Sequence, residues 1–259
     1  MRLLSVSLLK LVRRPATRRT FAVMAGVLAL LYLSLAASAR ALPPGEQAGA
    51  AEAILVFPDA YTSLASMLLT FAGLAAAAYA GAIAGSEWSW GAFRIAVTRG
   101  EARATYLVGT FVALAVVLLV GWLGLYAIGV VLVAASATLA GVGSGDPSAT
   151  LGTLPGILLA GWWSVSMQAA IGFAAAFVTR SQIAGIAAVV ALMVGEQLAG
   201  VIVPADVLRL APLGAGGDLL VHVSDGALFE AAAAAVVVGL YLCAALGIAA
   251  FLARRTEVA

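Results

Sequence analysis

Lysine, histidine and cysteine each occur once in this 259-residue chain, as Lys10, His222 and Cys243. A single cysteine excludes an intrachain disulfide and a CxxC redox site. One histidine and one cysteine also exclude a His/Cys metal cluster within the chain. The lone lysine does not belong to a GxxxxGK[ST] tract, so the chain does not cradle ATP by a P-loop. Charge is scarce too. Asp, Glu, Lys and Arg make up only 10% of the residues, against about 25% in soluble domains. A soluble fold of this size has too few charges here to cover its surface.

Apolar residues fill the space. They make up 64% of the chain and run at 21–39, 61–85, 106–140, 155–178, 183–203 and 229–253. Each run reaches the roughly 20 helical residues that span a bilayer's hydrocarbon core. Backbone groups in lipid must bond within their own segment, so the runs are helices. Their continuity, without alternation, excludes β-barrel strands. The expected fold is an all-α membrane protein with six transmembrane helices, one domain over 1–259.

The third run is too long for one straight span and too short for two. Charge placement decides. Read as one helix, it puts Arg2, Lys10, Arg13, Arg14, Arg18, Arg19, Arg94, Arg99, Arg103, Arg180, Arg254 and Arg255 on one side. Only Arg40 and Arg209 fall on the other. Twelve against two fits the positive-inside rule and places both termini in the cytoplasm of a cell-membrane protein. Splitting the run would move Arg180, Arg254 and Arg255 outside.

Arg18-Arg19, an apolar run and Ala37-Ser38-Ala39 imitate a twin-arginine signal with a cleavage site. Five further membrane segments favour an uncleaved first span. Residues 1–19 read as an interfacial amphipathic helix, with Leu4, Leu8 and Leu11 on one face and Arg2, Lys10 and Arg13 on the other. A basic anchor of the first span is the simpler alternative. Residues 204–228 form an extracytoplasmic loop too apolar to be free. Short helices broken at Pro212 and at Gly214–Gly217 are expected there. His222 stands alone in that loop as a surface or interface residue.

Glu196 is the one acid inside an apolar run, with Gln197 beside it. Gln168, Trp162 and Trp163 lie at neighbouring depths. An ionisable group in a membrane faces protein or water. These five residues are candidates for a substrate path or a subunit seam, the alternative being an acid paired locally. Gly73, Gly81, Gly85, Gly172 and Gly185 permit close helix packing.

Residues 86–104, within the stretch GSEWSWGAFRIAVTRGEARATYL at 85–107 between the second and third spans, mix charges with large aromatics. A connecting turn needs far less. A short helix over 86–98 is expected. Trp90, Phe93 and Val97 would lie toward the membrane or the span ends, Glu87 and Arg94 on one face, and Arg99-Gly100 would be the stop.

The order Glu87-Trp88-x-Trp90-Gly91-x-x-Arg94, then Thr98-Arg99-Gly100-x-x-Arg103, resembles the permease subunits of the type-two, exporter class of ABC transporters. The layout is similar to that family as well: an N-terminal interfacial helix, six spans, and a structured outer loop before the last. The motif covers about twenty residues. The chain departs from the family pattern at Ala92, where threonine is usual, and at Thr110, where lysine is frequent. The resemblance implies that Glu87, Trp88, Trp90, Gly91, Phe93, Arg94 and Arg103 couple the chain to an ABC ATP-binding subunit. It implies a second permease, identical or not, and membrane lipid as partners, and no nucleic acid. It implies no cofactor in this chain, ATP and Mg²⁺ being held by the separate ATPase. The alternatives are a non-transport membrane component, whether scaffold or enzyme, and a secondary transporter. The last would need more midplane ionisable groups or broken helices than Glu196 supplies.

Overall fold

The computed structural model describes residues 2–41, 49, 54–143, 145–148 and 151–255, with side chains from Ser5 onward. Six helices among them are long and apolar enough to cross a membrane. They are α2 (Pro15–Ala41), α3 (Asp59–Ser89), α5 (Arg103–Ala140), α6 (Leu154–Thr179), α7 (Gln182–Ala199) and α10 (Leu228–Arg255). Short helices fill the connections: α1 (Arg2–Arg13), α4 (Ala92–Thr98), α8 (Ala205–Leu208) and α9 (Pro212–Ser224). The chain is an all-α membrane protein. The third apolar run is a single helix of 38 residues, about 57 Å long at 1.5 Å per residue.

α3 and α6 form the centre of the bundle. Their apolar windows are 61% and 72% buried, against 17% for α2 and 11% each for α7 and α10. Glycine makes the centre possible. A Cβ on Gly172 would stand 2.5 Å from the Ala77 carbonyl oxygen, and one on Gly185 would stand 2.7 Å from that of Gly172 and 2.9 Å from Cα of Gly81. The three helices α3, α6 and α7 therefore touch backbone to backbone, the geometry that small residues allow in membranes. Gly73 and Gly85 leave room in the same way for the side chains of Gln168 and Gln182. All five sequence-marked glycines thus lie at helix contacts.

Two sequence-drawn boundaries move. The N-terminal helix ends at Arg13, not at residue 19. Pro15 takes the first position of α2, where a missing N–H costs nothing, so Arg18 and Arg19 lie inside the span helix. α1 rests against α5, with Leu11 buried and Leu8 packed on the core, while Val6, Leu9 and Val12 face outward. Leu4 and Arg2 lie outside the described side chains.

The second shift concerns residues 204–228. Both short helices are present, but Gly214–Gly217 lie within α9 instead of breaking it. Their lack of side chains lets α9 press on α6, where the Ser164 hydroxyl donates to the Gly216 carbonyl at 3.3 Å. α9 also descends into the bundle. The Tyr241 hydroxyl donates to the Leu210 carbonyl at 2.9 Å. Tyr241 is thirteen residues into α10, about 20 Å from its start. α9 is therefore a half-helix whose N-terminus lies at the depth of the spans. His222 does not stand alone there: its Nε2 lies 3.3 Å from Asp218.

Candidate functional site

The amino-terminal end of the bundle gathers α1, the end of α3, α4 and the start of α5. α3 runs straight through Glu87 and Trp88 and stops at Ser89. Gly91 then turns the chain, with φ of 68°, a left-handed value that glycine adopts without strain. The short helix α4 begins only after that turn. One continuous helix over 86–98 is thus replaced by a span end, a glycine corner and a separate helix of seven residues.

This corner separates Glu87 from Arg94. Glu87 is 2% exposed. Its Oε1 lies 2.5 Å from Lys10 Nζ and 3.7 Å from Arg14 Nη2, and its Oε2 accepts from the Tyr106 hydroxyl at 2.5 Å. Arg14 also donates to the Ser86 hydroxyl at 3.0 Å and lies over the Trp90 ring at 4.5 Å. A buried carboxylate is tolerable only when paired and hydrogen-bonded; α1 supplies Lys10, and Arg14 comes from the junction between α1 and α2. Thr17 and Tyr79 extend the polar seam. The Thr17 hydroxyl donates to Leu11 O at 2.6 Å, so the Tyr79 hydroxyl donates to Thr17 at 2.6 Å.

α4 is held by an aromatic plug. Phe93 is fully buried, with ring centroids 4.8 Å from Trp88, 5.1 Å from Phe177 and 5.8 Å from Tyr106. Trp88 Nε1 donates to the Phe177 carbonyl at 3.0 Å, and Arg180 covers its ring at 4.6 Å. The other side of α4 is bare. Arg94, Ile95, Thr98 and Arg99 are exposed, and Arg94 makes no ion pair among the described residues. Arg103 faces elsewhere, donating to the Ala253 and Arg254 carbonyls at 3.2 and 3.1 Å, where it closes the end of α10. The seven motif residues therefore divide. Glu87, Trp88 and Phe93 anchor, Gly91 turns, Arg103 clasps the last span, and Trp90 and Arg94 lie on the surface.

The intramembrane candidates divide as well. Gln168, Glu196 and Gln197 line one cavity of about 610 Å³ between α3, α6, α7 and the α8–α9 segment. Trp162 and Trp163 do not. Their indole N–H groups donate to the Ala115 and Ala235 carbonyls at 3.0 and 3.1 Å, fastening α6 to α5 and α10. Glu196 has a local partner that the sequence did not reveal. Its two oxygens accept the backbone N–H groups of Leu213 and Gly214 at 3.0 and 3.1 Å. These are orphan donors of the first turn of α9, where a negative charge is also favoured by the helix dipole.

No protein-family model, no curated protein and no solved structure matches the chain.

Proposed function

We propose that the chain is the membrane-spanning permease subunit of an ATP-driven ABC exporter, with α4 as the contact to a separate ATPase. The observation that carries this reading is the two-sided character of α4. One side is locked to three spans by Phe93 against Trp88, Tyr106 and Phe177, and the other offers Arg94, Ile95 and Arg99 to a partner. A helix that is rigid against the spans and bare beyond them transmits a push. It does so at the motif that resembles the coupling segment of type-two permeases. The amino-terminal end would then face the cytoplasm, as the twelve-to-two charge count implies. A second permease copy would complete the assembly, and alternating exposure would follow from differential contacts in two states.

Secondary transport is the second reading, because α9 is a half-helix of the sort that builds midplane sites. Glu196, the acid it would use, is bonded to that half-helix. ATP hydrolysis by a co-expressed partner ATPase separates the two. The exporter reading expects hydrolysis to depend on this chain and to fall at least several-fold in Arg94→Ala at equal membrane level. Hydrolysis indifferent to the chain would contradict it.

A further inference from the structure

The cavity beside α9 has a definite chemistry. At about 610 Å³ it is of the size that holds small-molecule ligands, roughly 300–1,000 Å³. Its deep wall is Leu74, Val189 and Met193, with no ionisable group among the described residues that line it. Its upper part carries one acid and one base, Glu196 and Arg209, and both are already engaged. Glu196 holds the first turn of α9. Arg209 lies 3.8 Å from Asp206 and 3.7 Å from Asp218.

Ser66, Thr70, Gln168 and Gln197 give the cavity uncharged polar groups, and Gln168 is the most buried of the four. It is 4% exposed, yet it lines the cavity. Its Nε2 reaches the Leu69 carbonyl at 3.5 Å, at the limit of a hydrogen bond. That carbonyl can only accept, so the nitrogen faces it and Oε1 is left as an acceptor. Oε1 takes no hydrogen bond among the described residues. Oε1 is open to the cavity, so water meets it when the cavity is empty, and a ligand hydroxyl or amide N–H can take that water's place. A charged ligand gains no free counter-ion in the deep part and loses its hydration.

We infer that this cavity binds an uncharged amphiphile, with its apolar body against Leu74, Val189 and Met193 and a hydroxyl or amide N–H donated to Gln168. Glu196 keeps the N-terminus of α9 in place as one wall. The inference rests on the exporter reading only for calling this molecule cargo; the binding itself does not.

Photolabelling of the full chain in lipid nanodiscs tests it, without ATP or any partner. The probe is a ten-carbon primary alcohol carrying a diazirine in its chain. The trimethylammonium and sulfate analogues on the same chain serve as comparisons. The alcohol is expected to label peptides around Leu69–Leu74 and Val189–Met193 saturably, and unlabelled decanol to compete. Met193→Trp, which fills the cavity, is expected to cut those adducts at least fivefold. Labelling of the open groove between α2 and α5 at Val120 should stay unchanged. Gln168→Leu keeps the bulk and is expected to raise the half-saturating concentration about tenfold, the scale of one buried hydrogen bond. Non-saturable labelling overturns the inference, as do charged analogues that label the cavity equally well or adducts indifferent to Met193→Trp. A failure here leaves the ATPase-dependence of the exporter reading standing, and loss of that dependence leaves a saturable cavity standing.

Discussion

Lys10 Nζ stands 2.5 Å from Oε1 of Glu87, seventy-seven residues further along the chain. This contact ties the N-terminal helix to the end of the second span, immediately before the corner that launches α4. The carboxylate is shared with Arg14 and Tyr106, so three elements meet on one buried group.

Glu87→Ala leaves two cations and a phenol without their acceptor. Breaking a buried pair from one side costs about 3–5 kcal/mol, and the partial exposure of Lys10 puts the expected loss nearer ~2–3 kcal/mol. Thermal unfolding in nanodiscs checks the loss. Limited tryptic proteolysis after Arg13 should become faster as α1 detaches. Lys10→Ala removes only the half-exposed cation and leaves Arg14 in place, so a loss below about 1 kcal/mol is expected.

Phe93 and Arg94 are neighbours with opposite expected phenotypes. Phe93→Ala empties the aromatic plug, at about 3–5 kcal/mol for a buried phenylalanine, and should lower the unfolding temperature. Arg94→Ala, on the bare side of α4, should leave that temperature within error and reduce ATP-driven export. Equal unfolding temperatures for the two variants would contradict the division of α4 into an anchored and a free side.

The contrast between these residues shows what the sequence could and could not tell. Six spans, the single long helix over Arg103–Ala140 and five of the packing glycines were legible, because run length, charge placement and residue size are local properties. The corner at Gly91 was signalled by a glycine after Trp90, but helical spacing of Trp90, Phe93 and Val97 outweighed it. Likewise Pro15 marked the start of α2, although the basic run through Arg19 suggested a longer first helix. The partner of Glu87 was not legible: the spacing put Arg94 on the same face but named no partner, and only the fold brings Lys10 to it. Glu196 was visible as an anomaly, yet its partners are backbone N–H groups of α9, which leave no mark in side-chain pattern. The descent of α9 was hidden for the same reason.

Gly185 tests the packed centre. A valine there would drive Cβ into the Gly172 carbonyl and Gly81. Overpacking of this kind costs about 1–3 kcal/mol or more, so Gly185→Val should lower thermal stability clearly. Gly109, in open space on α5, is the control. Gly109→Ala should be neutral or stabilising by up to about 1 kcal/mol.

Glu196→Ala orphans the N–H groups of Leu213 and Gly214 and removes a charge from the start of α9. A loss of about 1–2 kcal/mol is expected, in line with helix capping. Amide exchange at Leu213 and Gly214 should speed up, while exchange in α6 stays unchanged. Glu196→Gln keeps an acceptor and should fall between the two.

The central claim is that the free side of α4 receives an ATPase. Its most direct measurement is affinity purification of the chain from its own membranes, comparing the unmodified protein with Ile95→Asp, a change confined to the exposed side. A P-loop ATPase identified by mass spectrometry in stoichiometric amount with the unmodified chain, and reduced at least tenfold with Ile95→Asp at equal yield and unfolding temperature, is the expected result. Absence of any such ATPase, or equal recovery with Ile95→Asp, would contradict the account.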